Sequence, residues 1–194
     1  MSRGRPRQSA AWRHQGARDG FEVVFLAETG DGGFIAEGHC TAVECEQPWS
    51  VGYIISLDAA WVTRRAELSE LSSRGAHRAV LEHDGAGRWV LDGVTAPALD
   101  GCLDIDLEGS AFTNALPVRR LGLEVGQAGG AAAAWVRSPG IRVERLEQSY
   151  RRLPDGDEGQ RYDYAASQLE FTAELRFDRD GIGTAYSGLA TRVL

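Results

Sequence analysis

Hydrophobic residues recur at every second position over long stretches of the chain, and this alternation constrains the fold more than any other feature. Trp49, Val51, Tyr53, Ile55 and Leu57 share one parity, with Ser50, Gly52, Ser56 and Asp58 on the other. Leu169, Phe171, Ala173, Leu175 and Phe177 alternate with Glu170, Thr172, Glu174, Arg176 and Asp178. Residues two apart on a strand share a face, so each run presents one apolar face to a core and one polar face to water. Turn signals join these runs. Asp31-Gly32-Gly33 links 22–28 to 34–44, Asp84-Gly85-Ala86-Gly87 links 76–82 to 88–91, and Asp180-Gly181 links 169–177 to 182–186. Asp-Gly between alternating runs is a hairpin signature. Short strands at this spacing predict an antiparallel barrel, half-barrel or sandwich with little helix.

Residues 64–73 have helix-forming composition but no wide apolar helical face, so they are read as a strand. Residues 131–134 suit helix or strand, and Trp135, Val136 and the turn Ser138-Pro139-Gly140 favour a strand end. Residues 155–160 read as an acidic surface loop. The length of 194 residues suits one domain, without repeat or linker. Arg3, Arg5, Arg7, Arg13 and Arg18 precede any acid. The expected organisation is therefore a flexible basic arm, 1–18, and a single antiparallel β domain, 19–194. The net charge of −7 leaves the body strongly acidic, which argues against nucleic acid as the main partner. No apolar run is long enough for a transmembrane segment, and the arginine-bearing N-terminus has no apolar signal core; the expected location is cytoplasmic.

Chemistry is less plainly written. Cys40, Cys45 and Cys102 are too few and too scattered for a disulfide framework, and the four histidines form no ligand spacing, so no metal and no cofactor is expected. Nucleophile-elbow, Walker, dinucleotide and zinc-protease motifs are absent. In Leu103-Asp104-Ile105-Asp106-Leu107 a strand would place both aspartates on one face, roughly 7 Å apart. Such a pair suits acid/base work on a sugar, acceptance of sugar hydroxyls, or an ion pair with arginine. Phe112-Thr113-Asn114-Ala115-Leu116-Pro117 reads as an irregular turn, because Pro117 disfavours helical geometry at Leu116. It delivers Arg119 and Arg120 towards the aspartates. Trp61 beside Thr63 and Arg64, Tyr150 after Gln148, and Tyr162 with Tyr164 place aromatic rings among polar groups. Such rings are either core or stacking platforms.

The segment 100–107 followed by Phe112-Thr113-Asn114-Ala115-Leu116-Pro117-Val118-Arg119-Arg120-Leu121 resembles the bacterial putative glycolipid-binding family. Asp58-Ala59-Ala60-Trp61-Val62-Thr63-Arg64, Gly87-Arg88-Trp89, Gln148-Ser149-Tyr150 and Tyr162-Asp163-Tyr164 match its pattern in order, from about Trp12 onward. Ser110-Ala111 departs from the family's Thr-Pro, which implies a less rigid loop. The resemblance implies a curved, many-stranded antiparallel sheet, an open barrel or half-barrel like those of bacterial lipoprotein carriers. It also implies binding of a glycolipid or other amphiphile on the concave face. Trp61, Arg64, Asp104, Asp106, Phe112, Asn114, Arg119, Arg120 and Tyr150 are the expected ligand-binding residues. Two arrangements stay open: the aspartates and arginines orient a polar head, or they pair with each other while Leu103–Leu107 faces the cavity. The alternative function is an enzyme acting on a glycosylated or lipid substrate, with Asp104 and Asp106 as the acid/base pair.

Overall fold

A computed structural model describes residues 8–157 and 159–194. The first half of the chain forms β1 (Gln8–His14), β2 (Asp19–Glu28), β3 (Phe34–Glu44), β4 (Gln47–Leu57), β5 (Thr63–Ser72), β6 (Gly75–His83), β7 (Trp89–Leu91) and β8 (Val94–Thr95). An inner segment follows, with β9 (Asp104–Leu107), helix α1 (Ala115–Leu121), β10 (Ala128–Gly130), β11 (Ala133–Arg137) and β12 (Arg142–Leu146). The chain ends with β13 (Ser149–Gly156), β14 (Gly159–Ala166), β15 (Phe171–Phe177), β16 (Gly183–Tyr186) and β17 (Ala190–Arg192).

Fourteen strands join in one curved antiparallel sheet, ordered β10-β13-β14-β15-β16-β17-β1-β2-β3-β4-β5-β6-β7-β8 and not closed into a barrel. The last strand pairs with the first, setting Trp12 opposite Arg192, so both ends of the described chain lie mid-sheet. The expected antiparallel half-barrel is the fold. Residues 64–72 lie in strand β5, as read: alternate side chains Ala66, Leu68 and Glu70 are buried, and this tertiary pattern overrides helix-forming composition.

Three of the hairpins share one closing device. Asp58, Asp84 and Asp178 each use Oδ1 to accept backbone N–H groups two and four residues on, at 2.7–3.1 Å. The side chain thus does locally what an Asx turn does.

Two expectations need correction. Residues 8–18 are not a flexible arm. Gln8–His14 is a central strand whose Trp12 is buried, and Arg18 is held inward against the Glu108 carbonyl at 2.7 Å. Residues 1–7 of that arm lie outside the described residues. The second correction concerns Pro117, which sits inside α1. It occupies the first turn, where a missing N–H breaks no helical bond. Leu116 is accordingly helical, and Gly122 in the left-handed region (φ 55°) ends the helix with its N–H on the Val118 carbonyl.

The hollow of the half-barrel is largely filled by the chain itself. A second, three-stranded sheet, ordered β12-β11-β9, lies inside with α1. β9 pairs parallel to β11, and the consecutive residues Ala133–Val136 are all buried, so both faces of β11 are covered. Ile105, Phe112, Ala115 and Leu116 are fully buried against the inner face of the large sheet. Glu22 is a polar anchor between the two layers. It accepts bonds from the Tyr53 hydroxyl (2.7 Å), the Ser110 hydroxyl and the backbone N–H groups of Ala111 (2.6 Å) and Phe112 (3.2 Å). Gly38 makes room for this: a Cβ there would stand 2.3 Å from the Tyr53 ring. The loop at Ser110-Ala111 is therefore held firmly. Ser110 Oγ also accepts from the amides of Phe112 and Thr113.

Candidate functional site

The two aspartates of β9 share a face, as their spacing predicts, but serve different partners. Thr63 locks the strand: its N–H bonds the Leu103 carbonyl at 3.0 Å, and its Oγ1 accepts the Ile105 N–H at 3.1 Å. Asp104 is fully buried and takes both its oxygens to Arg120, Nε at 3.0 Å and Nη2 at 2.6 Å. Burial pushes its carboxyl up and the guanidinium opposes that shift. Breaking such a pair leaves one buried charge alone, typically a loss of about 3–5 kcal/mol. Asp106 is part-buried and accepts from Thr113 Oγ1 at 2.8 Å and Gln148 Nε2 at 2.7 Å. Burial pushes its carboxyl up to about 6 against the pull of those two bonds.

From Asp106 the polar contacts run into a wall of aromatic rings. Gln148 Nε2 also donates to the Tyr164 hydroxyl at 2.9 Å, and the Tyr150 hydroxyl donates to Asn114 Oδ1 at 2.9 Å. Tyr150, Tyr164, Phe171 and Tyr186 meet edge to face, with centroids 5.2–6.2 Å apart. Register explains the cluster: Tyr150 stands opposite Tyr164, Tyr164 opposite Ala173, and Tyr186 opposite Leu175. All point to the concave side. Along β15 that side changes from covered to open. Leu175 and Phe177 are fully buried, whereas Phe171 and Ala173 are half-buried, as is Tyr186. The inner layer stops short here, and the concave face emerges as an aromatic patch beside Asp106 and Gln148.

Trp61 and Arg119 form a separate group. Trp61 stacks on Phe34 at 4.3 Å, and the Arg119 guanidinium lies 4.2 Å over the Trp61 ring. The Asp58 turn holds Trp61 in the left-handed region (φ 65°), a strained setting for a bulky residue. Arg119 also donates to the Asp180 carbonyl, and a shallow cleft of about 490 Å³ opens beside it, floored by Leu26 and Phe34. Both faces of the Trp61 ring are therefore occupied by the protein.

Of the nine expected residues, the structure brings together Asp104, Asp106, Asn114, Arg120 and Tyr150. Trp61 and Arg119 make the second group. Arg64 lies elsewhere, donating to the Asp84 carbonyl at 2.8 Å, and Phe112 is fully enclosed core. Thr113, Gln148, Tyr164, Phe171 and Tyr186 were missed as site residues. Gln148 and Tyr164 stood in matched motifs, whereas Phe171 and Tyr186 looked like ordinary inward-facing strand residues. Among the described residues no three His, Cys, Asp or Glu side chains converge as a metal site. No helix among them is long and apolar enough to cross a membrane.

An open, curved antiparallel sheet wrapped around an inner strand-and-helix layer defines a half-barrel class of protein. The model of the family described as "Putative glycolipid-binding" matches residues 9–192, and the chain belongs to that family. It is similar to the crystal structure of a DUF1089 family protein from Pseudomonas aeruginosa, with 32% identity over 89% of this chain and 91% of that one, and a TM-score of 0.76. A beta-barrel-like protein of the domain of unknown function DUF1849 from Brucella abortus shares the fold, at 11% identity and a TM-score of 0.54, over 98% of this chain and 96% of that one. No curated protein matches the chain.

Proposed function

We propose that the protein binds an amphiphile, of the glycolipid class suggested by its family, where the concave face emerges from beneath the inner layer. The half-buried aromatic patch of Phe171 and Tyr186 beside the Asp106–Gln148 pair carries this reading. Binding sites of this kind combine an apolar or aromatic wall with a few fixed polar groups that orient the ligand. A sugar ring would lie against the aromatic rings while hydroxyls reach Asp106 and Gln148, and the acyl chain would lie on the half-buried side chains of Phe171 and Ala173. Each CH₂ buried contributes about 0.8 kcal/mol. The filled hollow restricts the ligand to this open end, in place of the whole concave face. An acid/base role for the aspartate pair is disfavoured by geometry, since Asp104 is enclosed and both its oxygens are bound by Arg120.

Calorimetric titration with decyl β-glucoside tests the proposal. Saturable binding is expected, at least tenfold weaker in Phe171→Ala, with the melting temperature little changed because Phe171 is not enclosed. Organic extraction of gently purified protein should also yield an enriched amphiphile by mass spectrometry. A clean extract together with no saturable binding would overturn the reading.

A further inference from the structure

Tyr186 borders a second feature. A small cavity of about 30 Å³ lies beside it, lined by His14, Arg18, Ser110 and backbone from Glu108 to Ala111 among others. His14 is 96% enclosed, at 4% exposure, yet its Nε2 has no hydrogen-bond partner. Arg18 is also turned inward. Its Nη1 donates to the Glu108 carbonyl at 2.7 Å, Nη2 stands 3.7 Å from Glu44, and the guanidinium sits 5.7 Å over the Trp49 ring. Its Nε is buried without a partner. Two residues with an unsatisfied buried nitrogen, one of them a cation, thus line one small cavity. Buried polar groups are normally satisfied, and exceptions mark places where something else binds.

We propose that this cavity takes a carboxylate-sized anion, the acidic head of the amphiphile bound on the adjoining aromatic patch. The inference rests on the amphiphile reading above, with Tyr186 as the wall common to both sites. A carboxylate has two acceptor oxygens, one for Arg18 Nε–H and one for His14 Nε2–H, and charge-assisted bonds of this kind are strong. The volume exceeds that of one water position and suits a group of a few heavy atoms. The acids around the cavity are engaged elsewhere. Glu22 is bonded to Tyr53, Ser110 and two amides, Glu108 Oε2 accepts the Ser138 N–H, Asp106 is bonded to Thr113 and Gln148, and Glu44 faces Nη2. None bonds Arg18 Nε or His14 Nε2.

The test uses the full chain with decanoate, 1-decanol, decyl β-glucoside and acetate, followed by calorimetry and by the ¹⁵N shifts of the His14 ring. Decanoate is expected to bind at least tenfold more tightly than 1-decanol and to move the His14 Nε2 resonance. Arg18→Gln and His14→Phe are each expected to bring decanoate down to the level of 1-decanol. The ring-shift measurement on the unaltered protein stands even if a variant folds poorly. Acetate moving the same resonance at matched concentration supports the anion site and makes a free anion its source, which removes the lipid head from the proposal. Decanoate binding without any His14 shift, or decanoate and 1-decanol binding equally, overturns it. If decyl β-glucoside binds and decanoate shows no preference, the amphiphile reading survives and the anion site fails; if nothing binds, both fail.

Discussion

Asp106 and His14 carry opposite pH dependences. Burial raises the Asp106 carboxyl from 3.8 to about 6, so between those values the folded protein holds more proton than the unfolded chain. Its contribution to stability therefore falls as pH rises through that window, by on the order of 3 kcal/mol for a shift of this size. Burial, reinforced by the charge of Arg18, lowers His14 from 6.5 to about 4. There the unfolded chain holds more proton, and stability rises with pH over the same range. The two slopes largely cancel in the native sequence. Asp106→Asn removes only the falling one. Its stability relative to the native protein should shift in the variant's favour by up to about 3 kcal/mol between pH 4 and pH 6.5. Urea unfolding at pH 4, 5, 6 and 7 measures this, and a constant difference across the series would show that the Asp106 carboxyl is not raised. The choice between Arg119 and Arg120 as partner of Asp104 was not legible from the residues alone. Neighbours on a helix point about 100° apart, so the answer required the helix: Arg120 goes to Asp104 and Arg119 to Trp61.

At the scale of elements, alternation was a sound guide wherever a strand has one face covered and the other wet. The run 34–44 is strand β3 with its predicted bounds, and the Asp-Gly turns fall between paired strands. The same rule fails for the inner layer. Ala133–Val136 is buried on both faces of the inner sheet, so it shows no alternation. Helix α1 was read as a turn because of Pro117. Yet Arg119 and Arg120 followed by Gly122 is a helix-end signal, which the proline outweighed. Glu22 was hidden for a related reason: β2 is apolar on both parities, with Phe21, Val23 and Phe25 exposed and Val24 and Leu26 buried, so pattern alone does not say which face Glu22 joins. The structure makes it the tether of the loop before α1. Glu22→Ala leaves the Tyr53 and Ser110 hydroxyls and two amides short of an acceptor, and a loss of about 3–5 kcal/mol is expected. Hydrogen exchange localises the effect, with the Ala111 and Phe112 amides accelerated well beyond those of β4. Uniform acceleration would mean that the contact does not hold the loop in particular.

For the molecule as a whole, the decisive joint is the seam between first and last strands. β17 lies between β16 and β1, and without it the large sheet divides into eight strands on one side and five on the other, each with a new open edge. The inner layer would then be the main bridge, through Glu22 to Ala111 and Phe112 on one side and Tyr150 to Asn114 on the other, beside the single bond from Trp12 to the Gly183 carbonyl. Local losses add to this. Gln15 loses its 2.7 Å bond to the Leu189 carbonyl, and Arg192 no longer pairs with Asp178. Trp12, which is 1% exposed and donates to the Gly183 carbonyl, is uncovered on one side. Five or so ladder bonds at about 1 kcal/mol each, with the uncovered indole, amount to roughly 5 kcal/mol or more. That matches the lower end of the 5–15 kcal/mol typical of a folded domain. A chain ending at Ser187 should therefore lose its near-ultraviolet tryptophan signal and aggregate through the open edges. A chain lacking only Val193 and Leu194, whose side chains are 59% and 74% exposed but whose backbones bond Ala11 at 2.8–3.4 Å, should stay folded and lose about 2 kcal/mol. Circular dichroism and light scattering on the two truncations distinguish a seam that closes the sheet from a terminal strand that merely decorates it. Equal behaviour of the two would show that the inner layer, not β17, unites the halves.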